Sequence, residues 1–146
     1  MTDDSDMVQV AAAIIADDEA RRVLIAQRPD GAAMGGLWEF PGGKLEVGET
    51  PVAALVRELR EELDVGVVVG PLFHVTAHAY PGGPAVRLFF YPCWITTGTV
   101  RLLWGQALAW VAPADLAGYA YPAADQAVVA RLAAEGLPAA GRWLIG

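Results

Sequence analysis

The sequence predicts an α/β fold in a single domain. Short apolar segments typical of strands alternate along the chain with two segments that have the period of amphipathic helices. Turns rich in glycine and proline separate these segments, which favours interspersed strands and helices packed around one core. At 146 residues the chain matches one ordinary domain, so we expect one unit over residues 1–146, with its core at about residues 8–135.

Two strands and two loops are predicted before the first helix. The apolar segments Val8–Ile15 and Val23–Arg28 are predicted strands, and the acidic turn at residues 17–19 between them favours a first β-hairpin. Glycine-rich loops are expected at residues 29–36 and 41–50, on either side of the short stretch LWEF.

The first predicted helix begins after Thr50. Thr50 is a good N-cap and Pro51 a good first helical residue, and the helical period continues to about Leu63. The remaining chain is predicted to add four strands, a turn, a short helical turn and a closing helix. These are strands at residues 67–69, 74–80, 86–96 and 107–111, a turn at 81–84, a helical turn opened by Pro113, and a helix at 123–135 that Gly136 ends.

Charge and composition exclude several classes of protein. The formal net charge of −7 repels polyanions, so binding to a nucleic-acid polymer through its backbone is not expected. The apolar runs are too short to cross a bilayer, and the acidic first ten residues differ from a signal peptide, so we expect a cytoplasmic protein with no membrane partner. The single cysteine, Cys93, excludes internal disulfides and a cysteine zinc site.

Three glutamates of the predicted helix fall on one face. A rotation of about 100° per residue places Glu58, Glu61 and Glu62 within roughly 100° of one another. The neighbouring face is expected to pack on the sheet and consists of Val52, Leu55, Val56, Leu59 and Leu63. Because like charges at this spacing repel, the cluster is either a solvated acidic surface or a functional site.

The spacing around these glutamates favours the functional interpretation. Gly43 is followed after five residues by Glu49, and after seven more by Arg57, Glu58, Leu59, one further residue, Glu61 and Glu62. This stretch resembles the sequence box of the Nudix hydrolase family. The flanking segments LIAQRP, GGLWEFPGGKLE and GQALAWVAP resemble its MutT and CTP pyrophosphohydrolase branch, over about residues 8–132.

The resemblance implies a fold and a metal site. Nudix hydrolases form an α/β/α sandwich around a mixed β-sheet, and their box binds a divalent metal and pyrophosphate. Donors that are all oxygen suit Mg²⁺, with Mn²⁺ as the alternative. By resemblance the ligands are Glu58, Glu62 and the Gly42 carbonyl, with Glu61 a direct or water-mediated ligand.

The resemblance also implies roles for charged residues beside the metal. Arg57 is expected to orient the carboxylates by charge-assisted hydrogen bonds together with Glu49, and a surface ion pair is the alternative. Glu61 is favoured as the general base, with Glu49 second.

Two positions depart from the family pattern. Asp64 stands where the box has glycine, and aspartate can adopt the left-handed conformation at modest cost. Trp104 stands where MutT-like enzymes have a downstream glutamate that supports the metal or the base. Its presence predicts a slower enzyme rather than an inactive one.

Five residues are expected to contact the substrate, namely Arg28, Phe40, Gly43, Lys44 and Asp125. Arg28 resembles the branch's substrate-contacting arginine, and an exposed charge at a strand end is the alternative. Phe40 either lines a base pocket or belongs to the core. Asp125 matches the position that contacts the base, and a helix N-cap is its alternative or additional role.

The resemblance favours a nucleoside triphosphate pyrophosphohydrolase that releases a nucleoside monophosphate and pyrophosphate. Nucleotide-pool sanitation and DNA repair, by hydrolysis of 8-oxo-dGTP, CTP-type or other non-standard nucleotides, form its expected role, carried out by a monomer or homodimer. Two alternatives stay open. They are hydrolysis of another nucleoside diphosphate derivative, such as ADP-ribose or a dinucleoside polyphosphate, and a catalytically weak nucleotide-binding module.

Overall fold

The computed structural model describes residues 7–17, 19 and 21–138. Its strands are β1 (Val8–Ile15), β2 (Val23–Gln27), β3 (Trp38–Glu39), β4 (Gly42–Lys44), β5 (Gly66–Val69), β6 (His74–Ala79), β7 (Ala85–Thr97) and β8 (Ala107–Val111). The α-helices are α1 (Pro51–Leu63) and α2 (Gln126–Glu135), and two 3₁₀-helices cover Pro113–Gly118 and Ala123–Asp125. Strands and helices are interspersed along the chain, as the sequence predicts.

The strands form two sheets. The larger sheet has the order β4-β1-β7-β5, and β6 pairs with the other half of β7. Its β1–β7 pair is parallel whereas its other pairs are antiparallel, so the sheet is mixed. The smaller sheet is antiparallel, in the order β3-β2-β8.

Strand β1 is covered on both faces. Ala12 and Ile14 pack in the core cluster that contains α2, whereas Ala13 and Ile15 pack in the cluster that contains α1. Because side chains alternate along a strand, the two helices lie over opposite faces of β1. The expected α/β/α sandwich around a mixed sheet is therefore confirmed, and burial on both faces explains the continuous apolar run of β1.

The predicted β-hairpin between the first two strands is wrong. β1 and β2 belong to different sheets and share only one isolated bridge, between Ala16 and Val23. The physical reason is that β1 already pairs with β4 along one edge and with β7 along the other. β4 occupies the first of these edges at residues 10–12, and β2 instead pairs with β3 and β8, so it meets the end of β1 only through the bridge at residue 16.

Part of the predicted loop at residues 41–50 is also a strand. Residues 42–44 form β4, which pairs antiparallel with β1. The two backbones lie so close that a Cβ at Gly42 would collide with the carbonyl oxygen of Ala11, and the φ of Gly42 is 154°. Glycine at this position therefore serves a close backbone approach within the sheet.

Helix α1 has the predicted ends. The Thr50 hydroxyl accepts a hydrogen bond from the Ala53 N–H at 3.1 Å. Asp64 follows the last turn in the left-handed conformation, with a φ of 57°, and its N–H donates to the Arg60 carbonyl. Asp64 thus fulfils the capping role that glycine usually has.

The packing face of α1 differs from the predicted one. Ala54, Leu55, Leu59 and Leu63 are buried, whereas Val52 and Val56 are exposed. The buried face of α1 therefore includes the positions of Glu58 and Glu62. These two residues lie against the sheet instead of beside the packing face. This rotation of α1 about its axis, relative to the predicted orientation, brings the two carboxylates against β4.

The closing helix begins later than predicted. Residues 123–125 form a 3₁₀-helix, and α2 itself begins at Gln126. Gly136 follows its last residue as expected, with a φ of 79°. Neither α-helix in the described part of the chain is long and apolar enough to span a membrane.

The corrected packing face can be tested by a pair of substitutions on α1. Leu59 is fully buried, so Leu59→Ala is expected to lower the free energy of unfolding by about 2–5 kcal/mol through lost burial and a cavity. Val56 is 41% exposed, so Val56→Ala is expected to change it by no more than about 0.5 kcal/mol. Urea unfolding followed by circular dichroism measures both. Equal losses would contradict the observed orientation of α1.

Candidate active site

A pocket of about 570 Å³ opens beside α1, β1 and β4. Its charged lining comprises Arg28, Glu39, Lys44, Glu58, Glu62 and Asp125, and its apolar lining includes Val10, Phe40, Val86, Leu88 and Pro122. The pocket therefore combines an acidic region, where α1 meets β4, with an apolar chamber beneath the start of α2. Residues that the sequence places far apart share one cavity.

The glycines of β4 allow Glu58 and Glu62 to approach the strand. A Cβ at Gly43 would collide with the carboxyl group of Glu58. The Gly42 N–H donates a hydrogen bond to the carboxylate of Glu62. Both glycines thus serve the carboxylates directly, because any side chain at Gly43 would displace Glu58 from the strand.

Arg57 joins the loop before α1 to the carboxylates. Its Nε and Nη2 donate to the two oxygens of Glu49 at 2.7 and 2.9 Å, and Nη2 also donates to the Lys44 carbonyl at 3.1 Å. Its Nη1 donates to Glu58 at 2.9 Å and to Glu61 at 3.3 Å. The contacts expected between Arg57, Glu49 and the helix carboxylates are therefore present, in a network much larger than a single surface ion pair.

The Arg57 network shifts the ionisation of its members. The hydrogen bonds from Arg57, followed by the one from the Glu46 N–H, lower the pKa of Glu49 to about 2. The hydrogen bonds to Glu49 also hold the pKa of Arg57 above its usual range. Glu49 is therefore a firmly ionised carboxylate with both oxygens engaged.

Glu62 has the opposite environment. Burial, followed by the negative charges of Glu39 and Glu58, raises the pKa of Glu62 to about 8. Burial also raises the pKa of Glu39, although the nearby Arg28 opposes this shift. Carboxylates that repel one another in a partly dehydrated pocket would be stabilised by a bound cation.

The donor chemistry of this region fits a hard divalent metal ion. The candidate ligands are carboxylate and carbonyl oxygens, and Gly43 keeps the space in front of Glu58 clear of side chains. Within the described residues, no three His, Cys, Asp or Glu side chains are already grouped closely enough to hold a metal ion. Glu58 and Glu61 both accept hydrogen bonds from Arg57 in this structure.

Four of the five expected substrate contacts are placed as follows. Arg28 lines the pocket and donates from Nη1 to Glu39 at 3.0 Å. Gly43 and Lys44 also line it, Lys44 with an exposed side chain. Phe40 is buried and packs edge-to-face on Phe90, so it is both a core residue and part of the pocket wall.

Asp125, the fifth expected contact, is buried in the pocket wall with only 4% of its surface exposed. It occupies the N-cap position of α2, but its side chain makes no capping hydrogen bond. The alternative role as a cap is therefore wrong. Burial, followed by the charge of Glu39, raises the pKa of the Asp125 carboxyl to about 7.

Sequence reasoning missed two of the polar residues that line the pocket. Glu39 accepts a hydrogen bond from Arg28, and its negative charge contributes to the raised pKa of both Glu62 and Asp125. Tyr80 lines the chamber, and its hydroxyl accepts a hydrogen bond from the Ala124 N–H at 3.0 Å. The signal for Glu39 was an acidic residue between two aromatic residues, Trp38 and Phe40, in a short strand.

Comparison with known proteins places this chain among Nudix relatives. The sequence model of the NUDIX domain family matches residues 10–131. The chain is 40% identical to a CTP pyrophosphohydrolase of Escherichia coli, over 82% of this chain and 86% of that protein. It is 35% identical to an 8-oxo-dGTP diphosphatase of Haemophilus influenzae, over 88% of this chain and 93% of that protein.

A solved structure gives the same result. The MutT protein of methicillin-resistant Staphylococcus aureus 252, a Nudix hydrolase, superposes with a TM-score of 0.69 at 34% identity, over 89% of this chain and 98% of the other. The fold and the sequence relatives thus define an enzyme class. The chain belongs to the Nudix hydrolase family, in agreement with the resemblance of its sequence.

The buried carboxyl of Asp125 predicts a pH-dependent stability. Its pKa is about 7 in the folded protein and about 3.9 in an unfolded chain, so the folded state loses stability as the pH rises from about 4 to 7, and the full cost is present above pH 7. In metal-free buffer, Asp125→Asn is expected to be more stable than wild type at about pH 8.5, by on the order of a few kcal/mol. This advantage is expected to shrink as the pH falls and to be mostly lost near pH 4, where the native carboxyl is protonated and the unfolded one is at its own pKa.

Urea titrations across this pH range measure the difference. Asp115→Asn is the matched control, because Asp115 is exposed and its substitution should give a small difference with no such dependence on pH. A stability difference for Asp125→Asn that stays constant from about pH 4 to 8.5 would rule out the burial of an ionisable carboxyl.

Proposed function

We propose that this protein is a metal-dependent nucleoside triphosphate pyrophosphohydrolase that releases a nucleoside monophosphate and pyrophosphate. The observation that carries the proposal is a single pocket with two chemically different regions. Glu58 and Glu62 beside the glycines of β4 suit a metal-bound polyphosphate, and the apolar chamber with the buried Asp125 suits a nucleobase. The names of the relatives support the same class of substrate.

The metal ion in this proposal is Mg²⁺, with Mn²⁺ as the alternative. Glu58, Glu62 and the Gly42 carbonyl would hold it, with Glu61 as a direct or water-mediated ligand. When bound, the metal neutralises phosphoryl oxygens and activates a water molecule. The protein contributes carboxylates that Arg57 and the glycines hold in place before substrate arrives.

The environments of the two candidate bases favour Glu61. Glu49 has both oxygens engaged by Arg57 and a pKa of about 2, which makes it a weak acceptor for a proton. Glu61 has a single long contact with Arg57 at 3.3 Å and a side chain that is 57% exposed. Glu49 then acts as a positioning residue, because it fixes the guanidinium that orients Glu58.

The substrate is proposed to span the pocket. Lys44 at the rim and Arg28 within it are the cations that line the pocket and can face phosphate groups. Phe40 and Asp125 would contact the base, and Gly43 would leave room for the phosphates. The expected role is removal of oxidised or non-standard nucleotides from the cytoplasm, by a monomer or homodimer that binds no nucleic-acid polymer.

Removal of the metal or its ligands is expected to abolish turnover. Glu58→Gln and Glu62→Gln each take one ligand charge from the metal, so kcat/KM should fall by about 100-fold or more. Pyrophosphate release from dGTP and CTP at millimolar Mg²⁺ measures the loss. Glu135→Gln is the control, because Glu135 lies on α2 and pairs with Arg131 away from the pocket.

Two results would overturn the metal-dependent mechanism. One is full activity in EDTA, and the other is undiminished activity of Glu62→Gln. Product analysis with ADP-ribose and dinucleoside polyphosphates tests the other substrates, since their hydrolysis releases no pyrophosphate. Binding of nucleotides without hydrolysis of any of them would instead favour a nucleotide-binding module.

Asp125 is expected to set the preference for the base. As an ionised carboxylate it only accepts hydrogen bonds, so it favours guanine and cytosine, which present amino groups, over thymine. At about pH 8.5, above its pKa, kcat/KM for guanine or cytosine triphosphates, including 8-oxo-dGTP, should exceed that for dTTP about tenfold or more. Asp125→Ala should flatten this preference and leave the metal requirement intact. An equal loss for every base would remove Asp125 from base recognition.

A further inference from the structure

The connection between β7 and β8 is tied to both sides of the pocket. The Arg101 and Leu103 N–H groups donate to the carbonyls of Leu63 and Glu62 at the end of α1, each at 2.9 Å. Three residues further on, the Gln106 N–H donates to the Gln27 carbonyl at the end of β2, at 3.0 Å. Trp104 lies between these anchors, so its position relative to α1 and to Arg28 is set by backbone hydrogen bonds.

The indole of Trp104 lies against the guanidinium of Arg28. The central carbon of the guanidinium is 5.2 Å from the ring centroid, within the range of a cation-π interaction. The Arg28 side chain also donates a hydrogen bond from Nε to the Ala33 carbonyl at 2.8 Å and forms an ion pair with Glu39 at 3.0 Å. Both Arg28 and Trp104 line the pocket.

We propose that Trp104 is a positioning residue that holds Arg28 in the orientation needed to bind an anionic group of the nucleotide. This inference rests on the proposed function, because it assigns the substrate's phosphates as the group that Arg28 meets. Trp104 acts through Arg28 and takes no part in the chemistry at phosphorus.

The chemistry of an indole explains why tryptophan suits this position. The pocket already holds Glu39 and Asp125, and the charge of Arg28 acts on both. A second acidic partner beside the guanidinium would neutralise it further, whereas an aromatic face attracts a cation without adding a negative charge. The Arg28 charge therefore remains available to a phosphate.

This contact changes the meaning of the departure from the MutT-like pattern. The sequence alone presents Trp104 as the loss of an accessory glutamate. In the structure, Trp104 is 39% exposed and lines the pocket with its ring against the Arg28 guanidinium. The substitution thus replaces an acidic group by a cation-binding surface.

The test separates the contribution of the aromatic face of Trp104 from the contribution of its apolar bulk. Trp104→Leu keeps an apolar side chain but removes the aromatic face, and Trp104→Tyr keeps an aromatic face. Each is made in the wild type and in Arg28→Ala. Leu103→Ala is the matched control, because Leu103 is an exposed neighbour in the same connection and its side chain does not line the pocket.

Two measurements are made on each protein. Steady-state kinetics with dGTP and Mg²⁺ give kcat and KM. Calorimetry with a dGTP analogue that has a methylene group between the α and β phosphorus atoms gives Kd without turnover. Thermal melting checks that every variant is folded.

The expected result is coupling between Trp104 and Arg28. Trp104→Leu should raise KM and Kd roughly 3- to 20-fold with a smaller change in kcat, and Trp104→Tyr should restore most of the binding. In Arg28→Ala, Trp104→Leu should cause no further loss, because the interaction is already absent. Leu103→Ala should bind as the wild type does.

Other outcomes overturn the proposal. An equal loss from Trp104→Leu in the wild type and in Arg28→Ala would show that the indole acts independently of Arg28, for example by stacking on the base. A wild type that binds the analogue but hydrolyses no nucleotide would reject the proposed function, while the Kd values would still decide the role of Trp104. A wild type that does not bind the analogue would reject both.

Discussion

The bidentate ion pair between Arg57 and Glu49 is the contact on which the site depends. It joins the middle of α1 to the loop that precedes the helix, and the same guanidinium reaches the Lys44 carbonyl in β4 and the Glu58 carboxylate. A single side chain therefore fixes the strand, the loop and the carboxylate relative to one another. Arginine suits this position because its planar group offers several donors in fixed directions, which a lysine does not.

The second constraint is the burial of β1 on both faces. Three consecutive alanines, at residues 11–13, allow β4 to approach from one side and the helices to pack above and below. Strand β2 lies outside this larger sheet and forms a second one with β3 and β8. β3 of this second sheet carries Glu39, which brings the smaller sheet into the pocket.

Much of the fold was predictable because it follows from local patterns. Apolar runs and turn residues located most of the strands, and Thr50 with Pro51 located the start of α1. The spacing from Gly43 to Glu62 was enough to identify the candidate residues of the acidic region. What failed was the arrangement of neighbours in space, as in the hairpin between β1 and β2, since strand pairing depends on edges supplied by distant segments.

The sequence by itself determined the family, the carboxylate helix and its caps, because each depends on residue types at short, fixed spacings. Only the tertiary structure decided that Glu58 and Glu62 lie within the packed side of α1, and that Val52 and Val56 do not. Likewise, the burial of Asp125 beside Glu39 and the contact of Trp104 with Arg28 join segments far apart in the chain. Such contacts depend on the close packing of whole elements around a shared core, which periodicity along one segment does not encode.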